Sequence, residues 1–389
     1  MLKKGGLHPE IADYMIENCI GIMPLPLGLG LGFKIDGKSY QVPMAIEEPS
    51  VIAACSAIAK IVSEKGSGFI CKSTPPIMIA QISIVDIVDF KDASYKLKNA
   101  RKMIIDFANE SCPNMVERGG GVEEMRFRSL NDEMLVVELL VNVKDSMGAN
   151  VINSIAEHAA PFIQSEVLGG QGRVSLRILT NLCTERMTMS EFSIPLKHLD
   201  WKGIPGENVA KRVLEAQRFA ELDHYRATTH NKGILNGVDA VALAIGQDWR
   251  AIESAAHSYA SITGRYMPLT RYKIKDGYFH GRIELPIAVG SQGGAIKSNP
   301  SYLNTLKILG YPNAQETANI LASVGLAQNF AALRALSIEG IQRGHMNLHA
   351  RNVAIRAGIP TPLINDAVNF MKVRNRINEQ SALMYLKSH

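Results

Sequence analysis

Residues 134–163, MLVVELLVNVKDSMGANVINSIAEHAAPFI, change periodicity once. MLVVELLVNV is short, apolar and rich in β-branched residues, which reads as a strand, and KDSMGA is a turn. From Asn150 the apolar residues recur at helical spacing. Working outward, PIMIAQISIVDI and MRFRSL also read as strands, SYKLKNARKMIIDFANES between them reads as a helix, and LGGQGRVSLRIL reads as a further strand. Strand, helix, strand, strand, helix, strand is the order of a ferredoxin-like unit. The expectation is therefore an α+β chain. A compact domain, residues 73–180, is inserted into a larger and mostly helical one formed by residues 1–72 and 181–340, and a C-terminal helical flap occupies 341–389.

The helical reading of the larger part rests on VIAACSAIAKIV, which begins just after Glu48 with Pro49 in its first turn, and on ENVAKRVLEAQRFAELDHY, WRAIESAAHSYASI and the long run from Ala314. Pro360 and Pro362 set off a last helical tail.

A chain of 389 residues, 46% hydrophobic and 20% charged, has enough apolar material for two or three cores. Its net charge of +5 comes from scattered Lys and Arg without basic blocks, which argues against nucleic acid and suits a small anionic ligand. The five cysteines are odd in number and form no C-x-x-C pair, pointing to a reducing compartment without a disulfide or zinc framework. Apolar runs are broken before bilayer length and no cleavable signal precedes them, so a cytoplasmic location without membrane contact is expected.

Several stretches carry chemistry. GLGLG, residues 28–32, fails as a dinucleotide fingerprint, because the third glycine is missing and strand-like FKIDGKSYQV follows; a Gly-rich turn is expected. In VKDSMGANVINSI the turn's free N–H groups and the positive helix end converge on one point, which favours a pyrophosphate, although a capped helix start fits the same residues. His345 and His349 are four apart, but no H-E-x-x-H glutamate or third ligand accompanies them, so no metal is expected. Lys232 lies between turn-forming Asn231 and Gly233, where a short loop would point its ammonium inward. Asp248 sits at a helix N-terminus, where an N-cap is the default role. Glu47 and Glu48 place two carboxylates in an apolar run, a costly arrangement unless they are paired.

Taken in order, ENCIG (17–21), VPMAIEEPSV (42–51), DSMGAN (145–150), HNKGILNG (230–237), GQD (246–248) and GHMNLHARN (344–352) resemble the soluble second class of 3-hydroxy-3-methylglutaryl-CoA (HMG-CoA) reductases. The resemblance covers essentially the whole chain and implies reduction of HMG-CoA to mevalonate and CoA with two hydrides from a nicotinamide, a reaction that some members run in reverse. It places the catalytic residues at Glu48, Lys232, Asp248 and His345. Lys232 meets the oxyanion, Asp248 keeps it charged and aimed, His345 protonates the CoA thiolate, and Glu48 gives a proton to the aldehyde oxygen. It further implies substrate contacts at Ser50, Arg226, Asn236, Gln328 and Asn329, and cofactor contacts at Asp145, Met147, Gly148, Asn150 and Asn181. ENCIG resembles the segment that joins two subunits around each active site, which implies a homodimer or an assembly of dimers. Cys112 stands where NADH-preferring relatives carry an aspartate, which favours NADPH over NADH, with Glu110 as the residue that would reverse the choice. Two rival readings remain: an acyl-CoA transferase with Cys112 or Cys183 as nucleophile, and a CoA-binding module without catalysis.

Overall fold

The computed structural model describes residues 6–131, 133–338, 340 and 350–388; His345 and His349 lie outside the described residues. The fold is mixed, with about half of it helical. After α1 (Pro9–Met15), strands β1 (Leu27–Ile35) and β2 (Lys38–Ala45) form a hairpin closed by Asp36 and Gly37, with φ of 48° and 82°. Asp-Gly suits this two-residue turn because both positions need positive φ.

GLGLG lies within β1, not in a turn. The reason is the helix above it, α2 (Val51–Lys65): a Cβ on Gly32 would sit 3.1 Å from the Lys60 nitrogen and one on Gly28 2.6 Å from Ile52 Cδ1. The absent side chains let α2 rest on the strand backbone. Helix α2 begins at Val51, so Pro49 precedes its first turn.

The short strand β3 (Ile70–Ser73) is followed by β4 (Ile77–Val85), α3 (Phe90–Asn99), α4 (Arg101–Asn109), α5 (Pro113–Glu117), β5 (Gly121–Leu130), β6 (Met134–Asn142), α6 (Ala149–Phe162) and β7 (Arg173–Thr180). Strands β5-β6-β4-β7 form one antiparallel sheet in that order. Central β4 and β6 are buried along almost their whole length, which is why they read as continuous apolar runs. Met78, Ile82, Leu97, Ile104, Leu139 and Ile155 belong to the core between this sheet and its helices. The single helix expected over 94–111 is two helices. Asp89 accepts hydrogen bonds from the N–H groups of Lys91 and Asp92 at 2.9 and 3.0 Å and starts α3 early, and Ala100, at φ −86° and ψ 1°, interrupts the run. The break lets Leu97 and Ile104 both reach the same core.

The remaining elements are β8 (Met187–Pro195), α7 (Gly206–Leu222), α8 (His224–Ala244), α9 (Trp249–Ala260), β9 (Thr270–Lys275), β10 (Tyr278–Pro286), α10 (Pro300–Leu309), α11 (Ala314–Ile338), α12 (Ile364–Val373) and α13 (Glu379–Ser388). A second antiparallel sheet, β3-β8-β10-β9, runs through what the sequence reads as a mostly helical part. The chain leaves this sheet at Ser73 and returns at Met187, in the strand beside the one it left. Aromatic rings fill the space between it and α11: Tyr272 and Phe279 stack with centroids 5.5 Å apart, and Phe330 of α11 lies tilted 5.0 Å from Phe279. Helix α11 is long and apolar enough to cross a bilayer, which the sequence reading denied to every segment, yet 78% of its apolar window is buried inside the protein. It is a core helix. Residues 350–356, also helical, pack with α12 and α13 around Val353, Met371 and Tyr385 as a third cluster.

Candidate active site

Two groups of side chains assemble in different places. The first centres on Glu48, in the connection between β2 and α2. Its Oε2 lies 3.3 Å from Lys232 Nζ and 3.4 Å from Asn236 Nδ2, while Glu47 is exposed. Lys232 sits not on a loop but in the middle of α8, which runs unbroken through Asn231 and Gly233. Lys232 and Asn236 share a helix face because they are one turn apart. The Lys232 and Glu48 side chains are 62% and 39% exposed, so their pairing adds at most about 1 kcal/mol to stability. Its value lies in placement.

In the segments that carry this pair or pack against them, several polar groups have nothing to bond. Ser50 holds φ at 77°, a strained conformation for a residue with a side chain, and its buried Oγ has no partner. Gln328 Oε1 is likewise buried without one. The half-buried Arg226 guanidinium meets no hydrogen-bond acceptor among the described residues, and burial lowers its pKa. Unsatisfied groups of this kind are costly in a finished core and expected in a site awaiting a polar ligand. Asn329 differs from its neighbour. Its Oδ1 accepts from Thr270 Oγ1 at 3.0 Å and Tyr272 OH at 2.8 Å, and its Nδ2 donates to the His230 carbonyl at 3.4 Å. The amide anchors α8 to the sheet and α11 and leaves little for a substrate. His230, pushed down to about 3 by burial, belongs to the same network through Thr270 at 2.6 Å.

The second group surrounds the N-terminus of α6. Gly148, with φ at 108°, precedes the helix without a side-chain cap, so the first-turn N–H groups are open to an anion. A Cβ there would lie 2.9 Å from Val143 Cγ1. Met147, Gly148 and Asn150 line a cleft of about 640 Å³ together with Asp248 and the glycine-rich segment Gln292–Gly294, which the sequence reading passed over although GSQGG marks it. Asp248 caps α9, accepting from the Ala251 N–H at 3.1 Å, with Arg250 at 3.6 Å. The Asp145 carboxylate turns away and accepts the Ala314 N–H at 3.1 Å, capping α11. Asn181 is exposed beyond β7 and does not line the cleft.

Asp248 does not reach Lys232 within one chain. Leu243, which lines the Asp248 cleft, is eleven residues and about 16 Å along α8 from Lys232. His345 falls outside the described residues. Among the described residues no cluster of His, Cys, Asp and Glu has metal-ligating geometry. Burial pushes the Cys183 thiol up to about 11 and raises that of Cys112, opposite to what an acyl-transfer nucleophile needs.

Comparison with known proteins identifies the family. The family model for hydroxymethylglutaryl-coenzyme A reductase matches residues 1–350. The chain is 47% identical to 3-hydroxy-3-methylglutaryl-coenzyme A reductase of Archaeoglobus fulgidus over 94% of its length and 83% of that protein. It is 37% identical to the probable reductase of Borreliella burgdorferi, over 87% and 77% of the two chains. Among solved structures, the class II reductase of Streptococcus pneumoniae bound to NADPH in open conformations superposes with a TM-score of 0.83 at 35% identity, covering 100% of this chain and 94% of that one. The chain belongs to the hydroxymethylglutaryl-coenzyme A reductase family.

Proposed function

We propose that this protein reduces HMG-CoA to mevalonate and free CoA, using two NADPH in preference to NADH, as a cytosolic homodimer whose active sites each draw on both subunits. The observation that carries the reading is the meeting of Glu48 with Lys232 and Asn236, 184 and 188 residues further along the chain, beside unsatisfied polar groups.

Bound NADPH supplies a hydride to each of two successive carbonyl carbons. At the thioester, negative charge collects on oxygen, and the Lys232 ammonium stabilises it, by several kcal/mol once water is excluded. The C–S bond then breaks, the oxygen returns to a carbonyl as an aldehyde, and His345 protonates the departing thiolate. At the aldehyde, Glu48 gives its proton to the new alkoxide and is recharged from solvent, to which it is open. Two hydrides and two protons are thus consumed for each mevalonate formed.

The residues around α6 fit a nicotinamide dinucleotide. Its diphosphate would be held by first-turn N–H groups next to Met147, Gly148 and Asn150, whereas Asp145, which caps α11, and Asn181, which lies outside the cleft, would not touch it. Cys112, 6% exposed and uncharged, offers no repulsion to a 2′-phosphate, and Met115, three residues on, reaches the cleft. We assign residues 73–180 to a ferredoxin-like cofactor domain, 1–72 and 181–340 to the substrate domain, and 341–389 to a flap that delivers His345. The dimer is favoured by the roughly 16 Å between half-sites within one chain. Ile20 and Met23, in and beside ENCIG, are 104% and 87% exposed, as apolar side chains are when a partner is to cover them.

The test follows nicotinamide absorbance with HMG-CoA present. The reading expects two NADPH oxidised per CoA released, with NADH slower. No oxidation with either cofactor removes it.

A further inference from the structure

Arg186 lies in the connection between the two sheets, just before β8, and is 5% exposed. A buried guanidinium is costly unless acceptors surround it. Here they are backbone carbonyls: Nη1 donates to Ser146 at 3.2 Å and to Met147 at 3.0 Å, and Nη2 donates to Val289 at 2.5 Å. Among the described residues no carboxylate lies within ion-pair distance of it. Ser146 and Met147 belong to the turn that opens α6, whereas Val289 follows β10. One planar fork therefore ties loops from different sheets.

The same loops touch twice more. Ser146 and Gln292 form a parallel bridge, and a Cβ on Gly290 would lie 2.5 Å from the Met147 nitrogen. A further tie comes from Gln247, whose amide donates to the Gly290 carbonyl at 2.9 Å and accepts the Gly290 N–H at 2.9 Å. Asp248 is the next residue. The α6 turn, the Gly290 segment and Asp248 are thus held together by two buried polar side chains, and Arg186 does not itself line the cleft.

We propose that Arg186 and Gln247 are positioning residues: they hold the open N–H groups of α6 and the Asp248 carboxylate at a fixed separation around the cofactor. This rests on the reading of the cleft as the cofactor half-site. Removing the fork frees the turn to drift, so the cost falls on cofactor binding; removing Gln247 loosens Asp248, so the cost falls on turnover.

The experiment uses the full-length enzyme and the variants Arg186→Met, Arg186→Lys, Gln247→Met and Asn150→Glu, with dissociation constants for NADPH and for HMG-CoA measured on the same preparations. Arg186→Met is expected to weaken NADPH by about tenfold or more while HMG-CoA stays within about twofold, and Arg186→Lys to fall between it and wild type. Gln247→Met is expected to lower kcat more than it raises the KM for NADPH. NADPH affinity unchanged in Arg186→Met, or both ligands weakened in parallel, overturns the inference. If Arg186→Met does not fold, Arg186→Lys is judged by the same criteria. Asn150→Glu separates the two levels: if it leaves NADPH affinity unchanged, the half-site reading falls. If it weakens NADPH while the Arg186 variants do not, only the positioning role falls.

Discussion

The two half-sites are built to different standards of rigidity. Around Glu48, contacts are long, 3.3 and 3.4 Å, and the ammonium is 62% exposed. Around α6 and Asp248, the ties are buried, and most are 3.0 Å or shorter. A group that must meet a charge arising only during reaction gains from remaining free until substrate and a second subunit enclose it, whereas a diphosphate cradle works best when formed in advance. One chain can finish the second alone. The first it leaves open.

Removing the charge on the open side breaks the comparison most sharply. Lys232→Ala is expected to lower kcat by about a thousandfold or more with a much smaller change in HMG-CoA affinity, since an oxyanion contact counts in the transition state; equal losses in both would reduce Lys232 to a binding group. Asp248→Asn should be similarly slow. If each site takes Lys232 from one subunit and Asp248 from the other, unfolding and refolding the two inactive variants together gives mixed dimers with one intact site, and about a quarter of wild-type activity returns. Recovery indistinguishable from zero would put both residues in one subunit's site.

A smaller effect tests the strain at the open site. Ser50→Gly relieves a positive φ that costs about 1–3 kcal/mol, so the melting temperature should rise, while KM for HMG-CoA rises by about tenfold as the hydroxyl is lost. A stability gain without a KM change would assign the strain to folding alone.

The rigid half was the more legible in sequence. A strand ending at Val143, a turn with Gly148 and a helix beginning near Asn150 follow one another locally, so periodicity alone places the anion-binding N-terminus. The open half depends on contacts across nearly two hundred residues, and only the resemblance brought Glu48 and Lys232 together. Asn231 and Gly233 are turn formers and predict a loop at Lys232; burial of α8 against α11, with Gly237 allowing Gln328 to approach, overrides that preference. The sheet formed by β3, β8, β10 and β9 went unread because its short strands lie far apart in sequence between strongly periodic helices. Arg186 left no signal at all. Its partners are carbonyls, which every residue carries.

The seam between the halves carries the last and smallest prediction. Lys232, Asn236, Asp239 and Leu243 follow at helical spacing along α8, from the Glu48 site to the Asp248 cleft. Asp239 faces Glu253 of α9, no cation offsets it among the described residues, and burial together with that neighbouring acid pushes its pKa up to about 8. Its buried Oδ1 has no hydrogen-bond donor in reach. In the unfolded chain the group titrates near 3.8, so between that value and about 8 the folded protein holds a proton that the unfolded chain has lost. Stability therefore falls as pH rises across this window, and the full penalty is present above about 8. Asp239→Asn keeps the shape and cannot ionise. It should melt several degrees higher than wild type at the alkaline end and nearly level with it near pH 4. Thermal unfolding across that range checks the sign, since a difference that shrinks as pH rises would mean the carboxylate is stabilised as an anion. If α8 and α9 also part when Asp239 ionises beside Glu253, turnover of wild type should fall faster than that of Asp239→Asn above pH 8, because the separation between the loose half and the rigid one is set along this helix.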